Sequence, residues 1–288
     1  MIYFKQSVLI SLTLFTASFL QACSQYPSIN TISYAQNNRN LTLTGSSTIK
    51  PLVVAIAKRY QAKYPNVRIN VKTGGSSQGI KDASEGNVDI GMVSRSLKAK
   101  EKHLLPFTIA KDGISVLIHK NNPIKSLTNK QIVDIYTNKI NNWRQVGGKN
   151  APIFVVSKAE NHSTGKLFAK FFQMPIKDIS ADKIIGDNPE AIAAVNENPN
   201  TIAYVSIGAA EYDIVHGAPL KLLPIEGVAA TIANVKNGTF PLSRPLNLVT
   251  NSTPIGLKKD FIDFARSEKV YDLVREQSFV PTKSESTL

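Results

Sequence analysis

A charge-free, predominantly apolar stretch occupies residues 8–20, and residues 24–40 that follow are rich in Ser, Gln and Asn, with Arg39 their only charge. Neither strand nor helix periodicity is present in the second stretch. Regular patterning starts at Leu41-Thr42-Leu43-Thr44, whose alternation predicts a strand. From Pro51 onward Leu52, Ala55, Ile56, Arg59 and Tyr60 recur at three and four, and Pro65 lies past the end of this predicted helix. Residues 67–73 alternate again, Gly74-Gly75-Ser76-Ser77-Gln78-Gly79 opens a second helix reaching about Glu85, and residues 88–93 read as a third strand. The order β-α-β-α-β predicts a parallel sheet whose strand ends face helix starts. Further on, residues 153–156 form a β run ending at Ser157-Lys158. Asn161-His162-Ser163-Thr164-Gly165 then leads into an apolar-periodic helix at 167–172.

Hydroxyl-bearing residues cluster where predicted strands hand over to helices. Ser46-Ser47-Thr48, Ser76-Ser77 and Ser163-Thr164 each precede or open a helix. The first turn of a helix carries unpaired N–H groups and the positive end of its dipole, which suit an oxyanion. The same residue types also serve as ordinary N-caps. Repetition beyond the carboxyl ends of parallel strands, where open α/β sheets bind ligands, favours one shared anion site.

Composition narrows the alternatives. With 288 residues, 42% of them apolar, the chain buries one large core or two lobes, which excludes disorder for most of its length. Thirty-four Lys and Arg against 21 Asp and Glu give a formal charge of +13. That admits nucleic acid, an anionic surface or a small anion as partner. The charges are spread along the chain and aromatics are only 8%, so no nucleic-acid partner is expected. Lys98, Lys100, Lys102 and Lys130 read as solvated surface charges that also attract anions. Gly74 and Gly79 have P-loop spacing, but Ile80-Lys81 follows instead of Lys and Ser or Thr, and no dinucleotide fingerprint is present. His103, His119, His162 and His216 are too scattered for a zinc pair. No metal or cofactor is expected. A hydrolase using Ser163 with His162 would need a base and nucleophile adjacent in sequence, and no G-x-S-x-G elbow exists, so the chain reads as a non-enzyme.

One cysteine rules out an internal disulfide framework. Residues 1–22, with Lys5 ahead of the apolar stretch, have the form of a signal peptide, and that stretch is short for a membrane span. Leu20-Gln21-Ala22-Cys23 resembles the bacterial lipoprotein signal. It implies a lipidated Cys23 at the mature N-terminus, with residues 23–40 a flexible tether and the protein exported, held on the cell membrane or outer membrane and facing the periplasm or exterior. The plainer alternative is a secreted protein with a stray thiol.

Gly45-Ser46-Ser47-Thr48, Gly75-Ser76-Ser77-Gln78-Gly79, Val88-Asp89-Ile90-Gly91 with Ser94-Arg95, Asn142-Trp143 and Pro241-Leu242-Ser243-Arg244-Pro245-Leu246 occur in this order. Together they resemble the substrate-binding lipoproteins of bacterial phosphate ABC transporters, over residues 41–282. The resemblance implies an α/β, two-lobed periplasmic-binding-protein fold of type II-like form, each lobe a mostly parallel sheet flanked by helices, with a ligand cleft between them. Residues 41–118 plus 207–288 would form lobe 1 and 119–206 lobe 2, with crossings at 114–119 and 201–206 and a C-terminal helix at 257–275 packed on lobe 1. It further implies a monomer that closes over inorganic phosphate and docks on permease subunits. The alternative is a sensor or adhesin on the same fold, or a protein for another oxyanion.

The resemblance places phosphate contacts at Ser46, Ser47 and Thr48, at Ser76 and Ser77, at Ser94 and Arg95, and at Lys158, His162, Ser163 and Thr164. Lys158 stands where the family usually has Arg, which keeps the charge and loses the bidentate fork. His162 is either a capping imidazole or a pH-sensitive group beside the anion. Selection of phosphate over sulfate needs an acceptor for the P–OH proton. Some family members use Asp where Ser94 stands, so Glu160 is the acceptor candidate, or else an exposed loop carboxylate. Asp89 is a weaker candidate that also fits a backbone-capping role.

Overall fold

The computed structural model describes residues 39–282. The signal peptide, Cys23 and nearly all of the tether lie outside the described residues. Strands run over Arg39–Gly45 (β1), Val67–Val71 (β2), Ile90–Val93 (β3), Leu105–His119 (β4), Phe154–Lys158 (β5), Lys183–Ile185 (β6), Thr201–Ser206 (β7), Leu220–Leu222 (β8), Ser243–Thr250 (β9) and Val280–Pro281 (β10). The α-helices are Lys50–Lys63 (α1), Ser76–Glu85 (α2), Asn129–Tyr136 (α3), Ser163–Phe171 (α4), Asn188–Glu197 (α5), Ile207–Val215 (α6), Ile232–Lys236 (α7), Gly256–Arg266 (α8) and Tyr271–Glu276 (α9). The first strand takes in Arg39 and Asn40, which pair with Val67 and Arg68, so two residues expected in the tether are sheet.

The hydrogen-bonded order is β2-β1-β3-β9-β4-β7-β5-β6, with β8 and β10 also on β4. At one end β1 lies parallel to β2 and β3, and at the other β5 lies parallel to β6 and β7. Between these groups β4 and β9 run antiparallel to their neighbours. The 15-residue β4 joins the two groups. Its first part pairs with β9 and its last part with β7 and β8. From Ile114 to His119 every residue is buried, as a strand covered on both faces requires.

Two large apolar clusters lie on either side of this join. The first includes Leu43, Ile56, Met92, Leu248 and Phe261, and the second Ile118, Tyr136, Trp143, Phe168, Tyr204 and Phe240. A smaller cluster, with Val156, Val195 and Val205, draws on α5, so the second sheet group is covered by helices on both faces. Each such aliphatic or aromatic side chain contributes about 1.5–3 kcal/mol on burial.

Sequence reading placed the return crossing at 201–206. In the structure β7 pairs with Ile114–Ile118 of β4, and the chain after it stays with the second cluster, burying Ile207, Val235 and Phe240 there. The strand that next joins the first cluster is β9, through Leu246 and Leu248. A fully buried apolar run looks the same in sequence whether it ends inside a lobe or leaves it. The expected helix at 257–275 is interrupted at Ser267, whose backbone is extended and whose hydroxyl donates to the Phe264 carbonyl, 2.7 Å away.

Close packing of α2 sets the position of its first turn. A Cβ on Gly79 would lie 2.8 Å from the Met92 carbonyl oxygen and 2.9 Å from Gly45 Cα. Only glycine lets this helix lie directly on the ends of β1 and β3. Gly75, at φ +82°, turns the chain into α2, and a Cβ there would meet the Asn161 carbonyl oxygen at 2.8 Å.

Candidate functional site

Where β1, β2, β3 and β5 end, their loops converge. Ser94 Oγ is the centre, 2.9 Å from Ser46 Oγ, 2.8 Å from Ser163 Oγ and 3.3 Å from Ser76 Oγ. Ser76 Oγ also lies 3.1 Å from Ser163 Oγ and accepts from the Ser94 N–H at 3.1 Å. Four hydroxyls from distant parts of the chain thus share one buried cluster. Ser46, Ser47, Thr48, Gly75, Ser76, Ser94, His162, Ser163 and Thr164 wall the small cavity at this point. Ser77 is half-buried and outside that wall.

The hydroxyls are not spent on helix caps. The N-cap positions of α1, α2 and α4 are Ile49, Gly75 and His162, and none makes a side-chain cap hydrogen bond. Three helix starts therefore keep first-turn N–H groups free of side-chain caps beside the hydroxyl cluster, which suits an anion.

Arg244, on β9, completes the arrangement and was not among the expected ligands. Its Nη1 donates to Thr164 Oγ1 at 2.9 Å and reaches Ser94 Oγ at 3.4 Å, while Nη2 donates to Thr48 Oγ1 at 3.2 Å. Asp112 on β4 accepts from Nε and Nη2 at 3.1 and 2.8 Å, and its other oxygen accepts from the Gly208 N–H. Both side chains are fully withdrawn from solvent, at 1% and 0% exposure. Removing either partner of such a pair leaves an uncompensated buried charge, so the pair fixes the guanidinium in place. A sequence cue existed in the Pro241–Leu246 motif, yet nothing local in it reveals a contact with residues 80 to 196 positions away.

Lys158, at the end of β5, is buried at 6% exposure, and its Nζ lies 3.4 Å from the Gly186 carbonyl oxygen. Burial lowers its pKa to about 7, aided by Arg244 and opposed by Asp187 and Glu190. The Tyr204 hydroxyl, which accepts from the Lys158 N–H at 2.9 Å, anchors the loop; its ring stacks on Phe168 at 4.1 Å. His162 is half-buried, with Nδ1 4.0 Å from Asp187 Oδ1. Burial and the neighbouring Lys158 push its pKa down, against Asp187 and Glu190.

Besides Ser77, three expected residues lie elsewhere. Arg95 spends its fork on Glu101, at 2.6 and 2.9 Å, in a buried pair away from the hydroxyls. Burial opposes charge on Glu101, but the bonds from Arg95 and the Lys98 N–H outweigh it and hold its pKa down. Glu160 is exposed and borders a separate crevice with Lys166 and Ile176, which Lys158 also lines from beside the hydroxyl cavity rather than within its wall. Asp89 accepts from the Thr42 N–H at 2.8 Å and from its hydroxyl at 3.0 Å, a bracing role at β1. Among the described residues no carboxylate walls the hydroxyl cavity.

Both sheet groups contribute. Asn161 Nδ2 donates to the Gly74 carbonyl at 3.2 Å and Asn188 Nδ2 reaches Thr48 Oγ1 at 3.4 Å, in addition to the serine contacts. Among the described residues no cluster of metal-ligating side chains occurs, and no helix is long and apolar enough to cross a membrane.

A family model described as a PBP superfamily domain matches residues 32–269. A candidate phosphate ABC transporter substrate-binding protein from Clostridium perfringens, solved with bound phosphate, is 36% identical and superposes with a TM-score of 0.78, covering 85% of this chain and all of that one. An ABC-type phosphate transport receptor from Vibrio cholerae is 28% identical with a TM-score of 0.67, covering 84% of this chain and 100% of that one. The phosphate-binding protein PstS of Bacillus subtilis is 29% identical over 256 residues, 84% of this chain and 80% of that protein. The first two are thus described as proteins of phosphate transport and the third as a phosphate-binding protein.

Proposed function

Since the chain belongs to the PBP superfamily, and within it to the substrate-binding proteins of phosphate ABC transporters, we propose that it captures inorganic phosphate outside the cytoplasm and delivers it to a permease. The observation that carries this reading is the buried Arg244–Asp112 pair facing hydroxyls from both sheet groups beside three helix starts without side-chain caps. Phosphate would replace the contacts that Ser46, Ser76, Ser94 and Ser163 make with one another, and Thr48, Thr164 and Arg244 would donate to its remaining oxygens. No covalent bond to the ligand needs to be made or broken. Closure of the two lobes removes water, which strengthens each charged hydrogen bond.

Calorimetric titration with phosphate tests the reading. Ser76→Ala and Thr164→Ala, one on each side of the join, are each expected to weaken binding by about 1–3 kcal/mol, the usual cost of losing a bond to a charged group. Parent-like affinity in either folded variant places that loop away from the ligand. Sulfate belongs in the same titration, because among the described residues no carboxylate lines the cavity to repel a fully ionised oxyanion.

Lipid attachment at Cys23 would keep a monomeric binding protein within reach of its permease and leave the phosphate site untouched. Cys23→Ser is then expected to move the protein from the membrane fraction to the soluble fraction with unchanged phosphate affinity. Continued membrane association of the variant counts against lipidation.

A further inference from the structure

A cavity of about 790 Å³ lies apart from the hydroxyl cluster and shares none of its lining residues. Its walls come from β4, α7, the end of α8, α9 and the segment from Phe279 to Thr282 that contains β10. Lys111, Lys236, Arg266 and Arg275 line it, and among the described residues no carboxylate does. None of these four cations has an ion-pair partner among the described residues; the same holds for Arg68 and Arg144, so it is their grouping around one cavity that sets them apart. Arg266 Nε is in addition buried without a hydrogen-bond partner. Like charges around one cavity repel, and an unsatisfied buried donor costs free energy. A bound anion relieves both.

We propose that this cavity is a second anion site, for a ligand carrying two or three linked phosphate groups. Its volume falls in the range of about 300–1,000 Å³ typical of clefts that enclose ligands larger than a single oxyanion. Four cations on different elements call for charge distributed along the ligand, and the guanidinium forks of Arg266 and Arg275 match phosphate geometry. Ile232, Tyr271 and Phe279 add an apolar portion, so the linked phosphates are either inorganic or borne by an organic group.

The site is connected to the hydroxyl cluster through one strand. Lys111 is exposed at the cavity, while its neighbour Asp112 points to the opposite face of β4 and holds Arg244. The register pairs Lys111 with Pro245 and Asp112 with Arg244. Within the cavity wall, α7 is rooted in the second apolar cluster by Val235, and α8 and α9 in the first by Ala265 and Val274. A ligand there touches both sides of the join and biases their relative placement, and linkage makes the effect on phosphate affinity reciprocal.

The test is calorimetry of tripolyphosphate against protein already saturated with orthophosphate, repeated with ATP and with sulfate at matched ionic strength. One equivalent of tripolyphosphate should bind, and a Lys236→Ala, Arg275→Ala double variant should weaken that binding about tenfold or more while leaving orthophosphate binding unchanged. ATP binding with the same dependence on Lys236 and Arg275 identifies an organic carrier, and tripolyphosphate alone an inorganic one. Absence of binding, equal binding by the double variant, or full displacement by sulfate overturns the proposal. The double variant also separates the two sites: if orthophosphate fails to bind at all, the phosphate reading falls, while a tripolyphosphate signal that depends on Lys236 and Arg275 stands.

Discussion

Arg244→Lys is expected to weaken phosphate binding by about 2–4 kcal/mol, from the loss of two or more charged hydrogen bonds, while the protein stays folded. Lysine keeps the positive charge beside Asp112, so the carboxylate is not left buried and unpaired. It lacks the planar fork that places Nη1 toward Thr164 and Ser94 and Nη2 toward Thr48 while Nε holds Asp112. Arg244→Ala would confound the measurement, because stranding Asp112 costs about 3–5 kcal/mol of stability. Calorimetry with phosphate reads the affinity and thermal unfolding reads the fold. Near-parent affinity in a folded Arg244→Lys protein would mean that the guanidinium is structural, bracing β4 against β9, and that the hydroxyls and helix starts bind the anion without it.

The order of elements was legible because it rests on local periodicity. Alternation at 41–44 and 67–73 and the three-and-four spacing after Pro51 correspond to β1, β2 and α1, and the glycine-serine run opens α2 at Ser76. The close approach that Gly79 permits, to Met92 and Gly45, joins remote segments and was not legible in the same way. The hydroxyl clusters were legible as candidates, since each sits at a strand-to-helix junction in sequence. What escaped is what depends on pairings between remote segments. Arg95 looked like a ligand until Glu101, six residues on, captured its fork. Arg244 looked like part of a motif with no chemistry of its own, because Asp112, Thr48 and Thr164 come near only when β9 lies beside β4. Glu160 sits among residues that do approach the cluster, but as an exposed side chain at a loop tip it turns to the other side, where Lys166 feels its charge.

Phosphate affinity is expected to fall as pH rises above about 7, with a slope approaching tenfold per unit, because Lys158 loses its charge there. In the anion-free protein, burial opposes the ammonium and Arg244 repels it, while Asp187 and Glu190 support it, giving a pKa of about 7. A bound anion favours the charged form, so binding just above neutrality draws a proton onto Lys158. His162 cannot supply the missing charge. Burial and Lys158 hold its imidazole neutral near pH 7 despite Asp187 and Glu190, which leaves it able to accept or donate one hydrogen bond. Stability of the anion-free protein should move the opposite way. From about pH 7 to 10.5 the unfolded chain carries a proton on Lys158 that the folded chain lacks, so folding becomes more favourable with rising pH over that window. Lys158→Arg keeps a permanent charge and removes both trends. Phosphate itself titrates near neutrality, so parent and variant are compared over one pH series, where the ligand's own ionisation cancels. Calorimetry in two buffers of different ionisation enthalpy then counts the proton taken up. Superimposable affinity curves and equal proton uptake would remove Lys158 from the anion's surroundings and leave the charge at the cleft to Arg244 alone.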